Sequence, residues 1–528
     1  MPTTLFRPAF RPVFRTALLA TAATLALAGC RDNDAATDAG NAVQALNVKG
    51  LSDADVAGHF EVPACTATDA QMQAGLASLG LDAASDGITW DSRELEDGGF
   101  EFDTVTLTGE DGETVVIGEL DLACLREVDG EVAVDRVSAE DIAITSPDAR
   151  FTVADVTVMA PDIESLRAFL DGDAEVTAGR TDIAEARAFA ANGISGSFSG
   201  SNEAGSEAGE MTLESLAFAE GRNGASDGFV RVGAFTFDVP GGDAPVDVEF
   251  EGLTVTGMES LDTLLGSADG LGDGLGSVGS SVLGPLGMGY ESADVGAFDA
   301  KLGTLHVFGD GMTAQNTARG GNIDMVSVME PVTLRFTGDA GADFQPLADG
   351  LAGMGYQEIV VSARSEGRYD EEADRVVSEN GFFELKDGFR MEIDSDVTGL
   401  KTLAEAAQAN TGDPTAALDV LQVNGLTLRL DDNSIMERIF TFVADQQNTT
   451  PRMLRMQAKG ALAMGTMMTG ELGIDPEIMS DLVSALGEFI DTPDSTLVIV
   501  LDPETPLGVD GLTGLTKAGA GFSATVEK

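Results

Sequence analysis

The chain has 528 residues, 89 of them acidic and 30 basic, for a net charge of −59, and 43% are apolar. On a prior of about 150 residues per domain the length implies roughly two to four units, and the apolar fraction excludes wholesale disorder. The charge repels anionic polymers and so excludes nucleic acid as a partner, and one tryptophan with three tyrosines argues against an aromatic binding platform.

At the N-terminus Arg7, Arg11 and Arg15 precede an unbroken small and apolar run from Ala17 to Ala28, with no acid in the first 29 positions. The run is well short of the roughly 20 residues that span a bilayer, and small residues close it, so residues 1–29 read as a cleaved leader. The closing Leu27-Ala28-Gly29-Cys30 resembles the box of bacterial lipoproteins. That resemblance implies diacylglycerol and palmitate on Cys30 and attachment to the membrane through that lipid. In the sorting rule of that class, aspartate directly after the cysteine retains the protein at the inner membrane. Here Arg31 stands in that place, which implies an outer-membrane anchor facing the periplasm. Residues 30–50, polar and alanine-rich, read as a flexible tether.

With Cys30 acylated, Cys65 and Cys124 are left, and an oxidising compartment favours their pairing. A bridge closing about 60 residues is worth roughly 4 kcal/mol by chain entropy. Two buried free thiols are the alternative.

Residues 51–265 read as a β-rich domain. Met72, Leu76 and Leu79 fall at helical spacing over Asp69–Leu79, after which alternation at period two takes over: Phe100-Glu101-Phe102, Leu120-Asp121-Leu122, Ile142-Ala143-Ile144, Phe235-Thr236-Phe237 and Val246 to Phe250. Short helices are expected at Ile163–Leu170 and Asp182–Ala191, the latter closed by Asn192-Gly193. Residues 266–289 are a glycine-rich loop. Its Gly274-Leu275-Gly276-Ser277-Val278-Gly279 matches a dinucleotide fingerprint as a string, but no strand leads into it, so no cofactor is assigned.

Residues 290–343 continue the β-rich region, and 344–528 form a module of a β-meander plus helices. The meander has strands at Ile359–Ala363, Arg375–Leu385 and Phe389–Ile393, preceded by a helix carrying Phe344, Leu347, Leu351 and Met354. Ser434 to Glu437 reads as a capping box opening a helix to Asp445; Thr450-Pro451 opens a methionine-rich helix to Met468; Asp475-Pro476-Glu477 caps a third, before a strand at Thr496–Leu501. Arg438, one turn into the first helix, is expected to pair with Asp432, and Met453, Met456, Met464, Met467 and Met468 to fill core. Gly355-Tyr356, Tyr369-Asp370, the Leu426, Leu428, Leu430 run with Asp432, Ser434 and Arg438, and then Phe489, Asp491, Pro493, Ser495, Leu497, Asp502-Pro503 and Pro506 resemble an uncharacterised Gram-negative envelope protein family. No catalytic role comes with that resemblance.

The chemistry for an enzyme is thin. Two histidines, His59 and His306, stand far apart and read as surface or strand residues, and neither an HExxH nor a GxSxG string exists. No carboxylate pair stands out by spacing, and Asp171-Gly172-Asp173, Glu371-Glu372 with Asp374, and Asp431-Asp432-Asn433 lack an EF-hand pattern, so they read as turns and caps rather than metal sites. The expectation is an α+β, mostly β protein: an extended antiparallel, meander-like sheet with short helices and a C-terminal helical cluster. It is expected to be a non-enzymatic envelope lipoprotein with a structural or interaction role toward a lipid or protein partner. The alternatives are a lipid-handling β-groove, since helices in the N-terminal half are too few to cover its strands, and a divergent carboxylate hydrolase.

Overall fold

Period-two alternation dictates strands, and the computed structural model is 52% strand and 21% helix, an α+β fold that is mostly β, with every described strand pair antiparallel. It describes residues 46, 48–85, 87–96, 98–109, 113–170, 186–202, 205–222, 225–241, 245–258, 290–338, 341–401, 421–468, 475–508 and 517–528. Among these, one compact unit holds the residues up to Gly303 and a second begins at Thr304, so the strands of 304–343 fall in the second unit and not with the preceding β-rich region.

The first unit opens with helices α1 (Asp53–Gly58) and α2 (Asp69–Ser78), each closed at its start by a capping box, Ser52 with Asp55 and Thr68 with Gln71. Its sheet contains β1 (Ile88–Thr89), β2 (Ser92–Glu96), β3 (Gly99–Thr108) and β4 (Thr114–Ala123); β5 (Arg126–Val128) and β6 (Glu131–Ala133) form a separate hairpin. The sheet continues through β7 (Arg136–Thr145), β8 (Ala149–Met159), β9 (Ala188–Asn202) and β10 (Gly205–Ala219), with α3 (Ile163–Leu170) after β8. Then come β11 (Gly228–Val232), β12 (Phe235–Val239), β13 (Val246–Phe250), β14 (Leu253–Met258), β15 (Ser292–Val295) and β16 (Phe298–Leu302).

The ladder β3-β4-β7-β8-β9-β10 is broken at one height in every strand. Pairing skips Thr104 and Gly118, then Asp141, Ala154, Gly193 and Glu214. Beyond β10 the same line separates β11 from β12, and the sheet forks into the ladders β10-β11-β14-β15 and β10-β12-β13-β16. The register is the same on both sides of each break, and Thr104, Asp141 and Gly193 there have φ of 53°, 51° and 59°, a left-handed kink that turns the strand. Gly193 shows why this line constrains sequence: its φ is +59°, and a Cβ there would lie 2.8 Å from that of Ala154. The bend lets residues on both sides of it, Phe100 and Leu122 on one, Leu107 and Ile144 on the other, join one buried cluster, which Met72 and Leu76 of α2 and Leu166 of α3 complete.

On the opposite face Leu46 and Val48 are 2% and 3% exposed against Val56, Phe60, Ala190 and Ala217, so the folded body begins inside the stretch expected to be tether. The helix expected at Asp182–Ala191 is overturned where it is described, because Ala188 to Ala191 lie in β9. Alanine favours helices in isolation, but here Ala188 and Ala190 pack into one buried cluster and Phe189 and Ala191 into the other, and burial on two faces decides the conformation.

The second unit contains β17 (Leu305–Gly309), β18 (Met312–Arg319), β19 (Asn322–Phe336), α4 (Gly341–Gly353), β20 (Glu358–Asp370), β21 (Arg375–Leu385), β22 (Phe389–Thr398) and β23 (Gln422–Asp432). Helices α5 (Ile435–Gln447), α6 (Pro451–Met468) and α7 (Pro476–Asp491) follow, then β24 (Thr496–Leu501), β25 (Leu507–Gly508), α8 (Lys517–Ala520) and β26 (Ser523–Glu527). Strands pair in the order β19-β20-β21-β22-β23-β24-β26. The three helices stack on one another, and α7 covers β24 and β26.

Candidate functional site: an open apolar sheet face

Cross-strand register assigns every side chain of the second sheet to a face. Met329, Ala363, Phe383, Met391, Leu430, Leu497 and Val526 stand opposite one another in a single row. One residue along, Val328, Arg364, Phe382, Glu392, Arg429, Val498 and Thr525 form a row on the other face. The first face is apolar, and its neighbouring rows repeat the character, with Val332, Val361, Leu385 and Phe389 on one side and Ile393, Leu428 and Ile499 on the other.

The opposite face is laced with ion pairs. Arg390 bonds Glu392 at 2.9 Å and stacks its guanidinium 3.8 Å over Phe382; Arg429 meets Glu527 at 2.8 Å; Arg375 pairs with Asp396. These hydrogen bonds raise the Arg429 and Arg375 pKa values and hold that of Asp396 below its ordinary value. Charges pair in solvent there, and apolar groups collect on the reverse side.

The apolar face is only partly roofed. Under α7, Leu497 is 3% exposed and packs with Phe489 and Ala485. Along the same row Leu430 still packs against this cluster, and toward β19 Met391, Phe383, Ala363 and Met329 are half-buried, as are Ile393, Leu428, Val361 and Leu385 beside them. Beyond a small buried cluster of Met325, Tyr369, Val376 and Leu400, the described residues of β19–β22 have no counterpart to the α7 contact. Exposed apolar side chains also stand on the helices, Phe344 and Leu347 on α4 and Ile439 on α5.

At its margin a polar knot fixes α4, the β21–β22 turn and α5. The Arg438 guanidinium lies 4.4 Å over the Tyr356 ring, donates from Nε to Ser434 Oγ at 2.8 Å and from Nη1 to the Met354 carbonyl at 3.0 Å. The hydroxyls of Ser434 and Tyr356 both donate to the Asp387 carbonyl, at 2.8 and 3.2 Å. Asp432, 2% exposed, accepts from the backbone N–H groups of Ser434 and Met436. The expected capping box is therefore absent. Ser434 sits at φ 101° with its hydroxyl turned to Asp387, so Asp432 caps α5 in its place. Arg438 spends its donors on Ser434 and Met354, and the expected pairing with Asp432 is replaced by stacking on Tyr356.

Cys30 and Asp171-Gly172-Asp173 lie outside the described residues. Cys65 and Cys124 are joined in a disulfide with Cα atoms 5.4 Å apart. Both histidines are buried; His306 lies on a strand, as expected, whereas His59, just past α1, is neither on the surface nor in a strand. His59, 3% exposed, bonds the Asp227 carbonyl at 3.0 Å and meets the Phe229 ring edge-on; burial lowers its pKa despite the nearby carboxylate. Burial would raise Asp227, but bonds from the Arg222 backbone and guanidinium outweigh it and hold the carboxyl low. His306 lies on β17 and accepts from Arg335 Nε at 3.2 Å. Asp370 accepts from the N–H groups of Glu372 and Ala373, a turn as expected, and no group of three His, Cys, Asp or Glu among the described residues is arranged to hold a metal.

The sequence reading missed a row of carboxylates beside the bend of the first sheet, where Glu119, Glu140 and Asp155 stand opposite one another on β4, β7 and β8. Burial pushes Asp155 up, opposed by a 2.9 Å bond from Asn192. Only register, which spacing alone does not disclose, brings these three together. No described helix is long and apolar enough to cross a membrane. No curated protein matches the chain. A family model described as an uncharacterized protein matches residues 382–524, from the end of β21 through the helices and into β26, and so covers the roofed end of the apolar face together with Asp432, Ser434 and Arg438.

Proposed function

We propose that the protein is a non-catalytic lipoprotein of the outer membrane, anchored through Cys30 and facing the periplasm, and that its second unit holds an acyl chain on the open part of its apolar face. The observation that carries this reading is the row from Met391 to Met329, half-buried with no described helix packed on it, whereas Leu430, Leu497 and Val526 of the same row pack with Phe489 and Ala485 of α7. Methylene burial contributes about 0.8 kcal/mol each, on the order of 10 kcal/mol gross for a chain of membrane length. That is ample to offset the ordering of a flexible ligand. The leader, the Leu27–Cys30 box and Arg31 support the location.

Organic extraction of the purified native protein tests it, because a lipid on Cys30 is covalent and stays behind. Mass spectrometry of the extract is expected to find stoichiometric lipid, lost in Phe383→Asp and Ile393→Asp variants that keep the wild-type circular dichroism. An extract free of lipid from protein purified without detergent would overturn the acyl-chain reading.

A further inference from the structure

Helix α6 is the exception in an acidic chain. At the average composition its 18 residues would carry about three carboxylates, yet it has none, and it carries Arg452, Arg455 and Lys459. Its neighbours are ordinary for this protein, with Glu437 and Asp445 on α5 and four acids on α7.

Helical spacing sorts its side chains. Leu454 turns inward and is 7% exposed. Met453, Met456, Gly460 and Met464 recur at three- and four-residue steps and share the opposite stripe, where the methionines are 46%, 54% and 66% exposed. The expected core role is thus overturned for these three. The cations stand along one flank of that stripe. Arg455 pairs with Glu437 and lies over Phe440, Lys459 pairs with Asp491, and Arg452 is exposed at the outer edge.

An apolar stripe in water beside a line of cations is the pattern of a helix that lies in a bilayer interface. Unbranched, polarizable methionine suits a fluid surface better than a shaped protein pocket. The chain as a whole, at −59, is repelled by anionic headgroups, so contact falls to a stretch that carries no acid of its own and an exposed cation, Arg452. We propose that α6 is the surface by which the folded body docks onto an anionic phospholipid bilayer, the methionines entering the headgroup boundary and the exposed Arg452 meeting phosphates. The proposal draws on the Cys30 anchor only for proximity to the bilayer. It does not depend on what the apolar sheet face holds.

The full-length lipidated protein, with Met456→Cys or Met464→Cys labelled by an environment-sensitive dye, is reconstituted on vesicles of equal parts phosphatidylcholine and phosphatidylglycerol. Glu379→Cys, on the ion-paired face of the sheet, serves as reference. The native disulfide and the acylated Cys30 leave the new thiol as the one labelled. Positions 456 and 464 are expected to shift to the blue and to be quenched by spin-labelled lipid severalfold more than 379. That difference is expected to shrink in molar salt and in the Arg452→Glu variant. Labels at 456 and 464 that stay as wet as that at 379 on these vesicles would overturn the proposal. So would labels that turn apolar in buffer alone with rising protein concentration, since a second copy would then be the occupant. Lipid extraction of the Phe383→Asp variant reports separately on the sheet face, so failure of one reading leaves the other standing.

Discussion

The two units solve one problem in two ways. Each contains an antiparallel sheet with apolar rows, and the β3–β9 part of the first buries them in one large cluster, whereas the row from Met391 to Met329 in the second stays half-buried, as do Phe235, Phe250 and Phe298 beyond the fork of the first. In the first, the line of breaks from Thr104 to Glu214 turns the strands so that both halves feed one cluster, and two short helices finish the cover. In the second, α7 covers β24 and β26 with α6 and α5 stacked behind it, and the described buried clusters hold four and three residues. Alternation in a strand therefore reports which side chains share a face; whether anything covers that face is decided by elements distant in sequence.

The sharpest way to break this contrast is a matched pair of truncations. Leu120, fully buried on β4, and Leu428, half-exposed on β23, are the same residue in equivalent cross-strand settings. Leu120→Ala is expected to cost about 3–5 kcal/mol and Leu428→Ala about 1–2, since the second removes less buried area and leaves no closed cavity. Trp90 is the single tryptophan and packs against Phe102, so its fluorescence during denaturation follows the first unit alone; hydrogen exchange follows the second. Equal costs would mean that the second face is closed.

The disulfide belongs to the first unit and sharpens the same contrast. Replacing Cys65 and Cys124 by alanine releases a loop spanning a 59-residue separation, and the Trp90 transition is expected to lose about 2–4 kcal/mol. Exchange protection in β19–β23 is expected to stay unchanged. A parallel loss there would show that the two units unfold together.

Much of this was legible beforehand. The strands, the pairing of Cys65 with Cys124 and the C-terminal helices follow from period, composition and caps. Counting helices against strands suggested uncovered strands in the N-terminal region; there β3–β9 close over their own core with few helices, while Phe235, Phe250 and Phe298 beyond the fork are half-buried like the row of the second unit. Glycines such as Gly118 and Gly193 mark the bend only once register aligns them. Ser434 misled for a related reason: its fit to a capping box is local, whereas the Asp387 carbonyl that claims its hydroxyl comes from the β21–β22 turn 47 residues earlier.

A smaller effect is expected at the knot beside the open face. Arg438→Ala removes the stack on Tyr356 and two donated bonds and is expected to cost about 1–3 kcal/mol in the second unit. Arg438→Lys keeps the charge but neither the planar stack nor the forked donors, so it is expected to recover less than half of that loss. Full recovery by lysine would reduce the residue to a point charge.

The smallest effect separates the units by pH. His59 is buried in the first unit with its pKa lowered, burial outweighing the pull of Asp227. The unfolded chain, with the ring at its ordinary value near 6.5, then binds more protons than the folded chain between that value and the lower folded one. Stability of the first unit is therefore present above about pH 6.5 and falls as the pH drops below it. Asp227, held low, adds a loss of its own only further down, as the pH falls through its folded value below the ordinary carboxylate range. His59→Gln keeps a donor within reach of the Asp227 carbonyl and removes the titration. The Trp90 transition of that variant is expected to be flat between pH 7 and pH 5, where wild type slopes downward. A His59→Gln protein that still loses stability across that interval would assign the slope to another group and remove His59 as the acid-sensitive point of the closed unit.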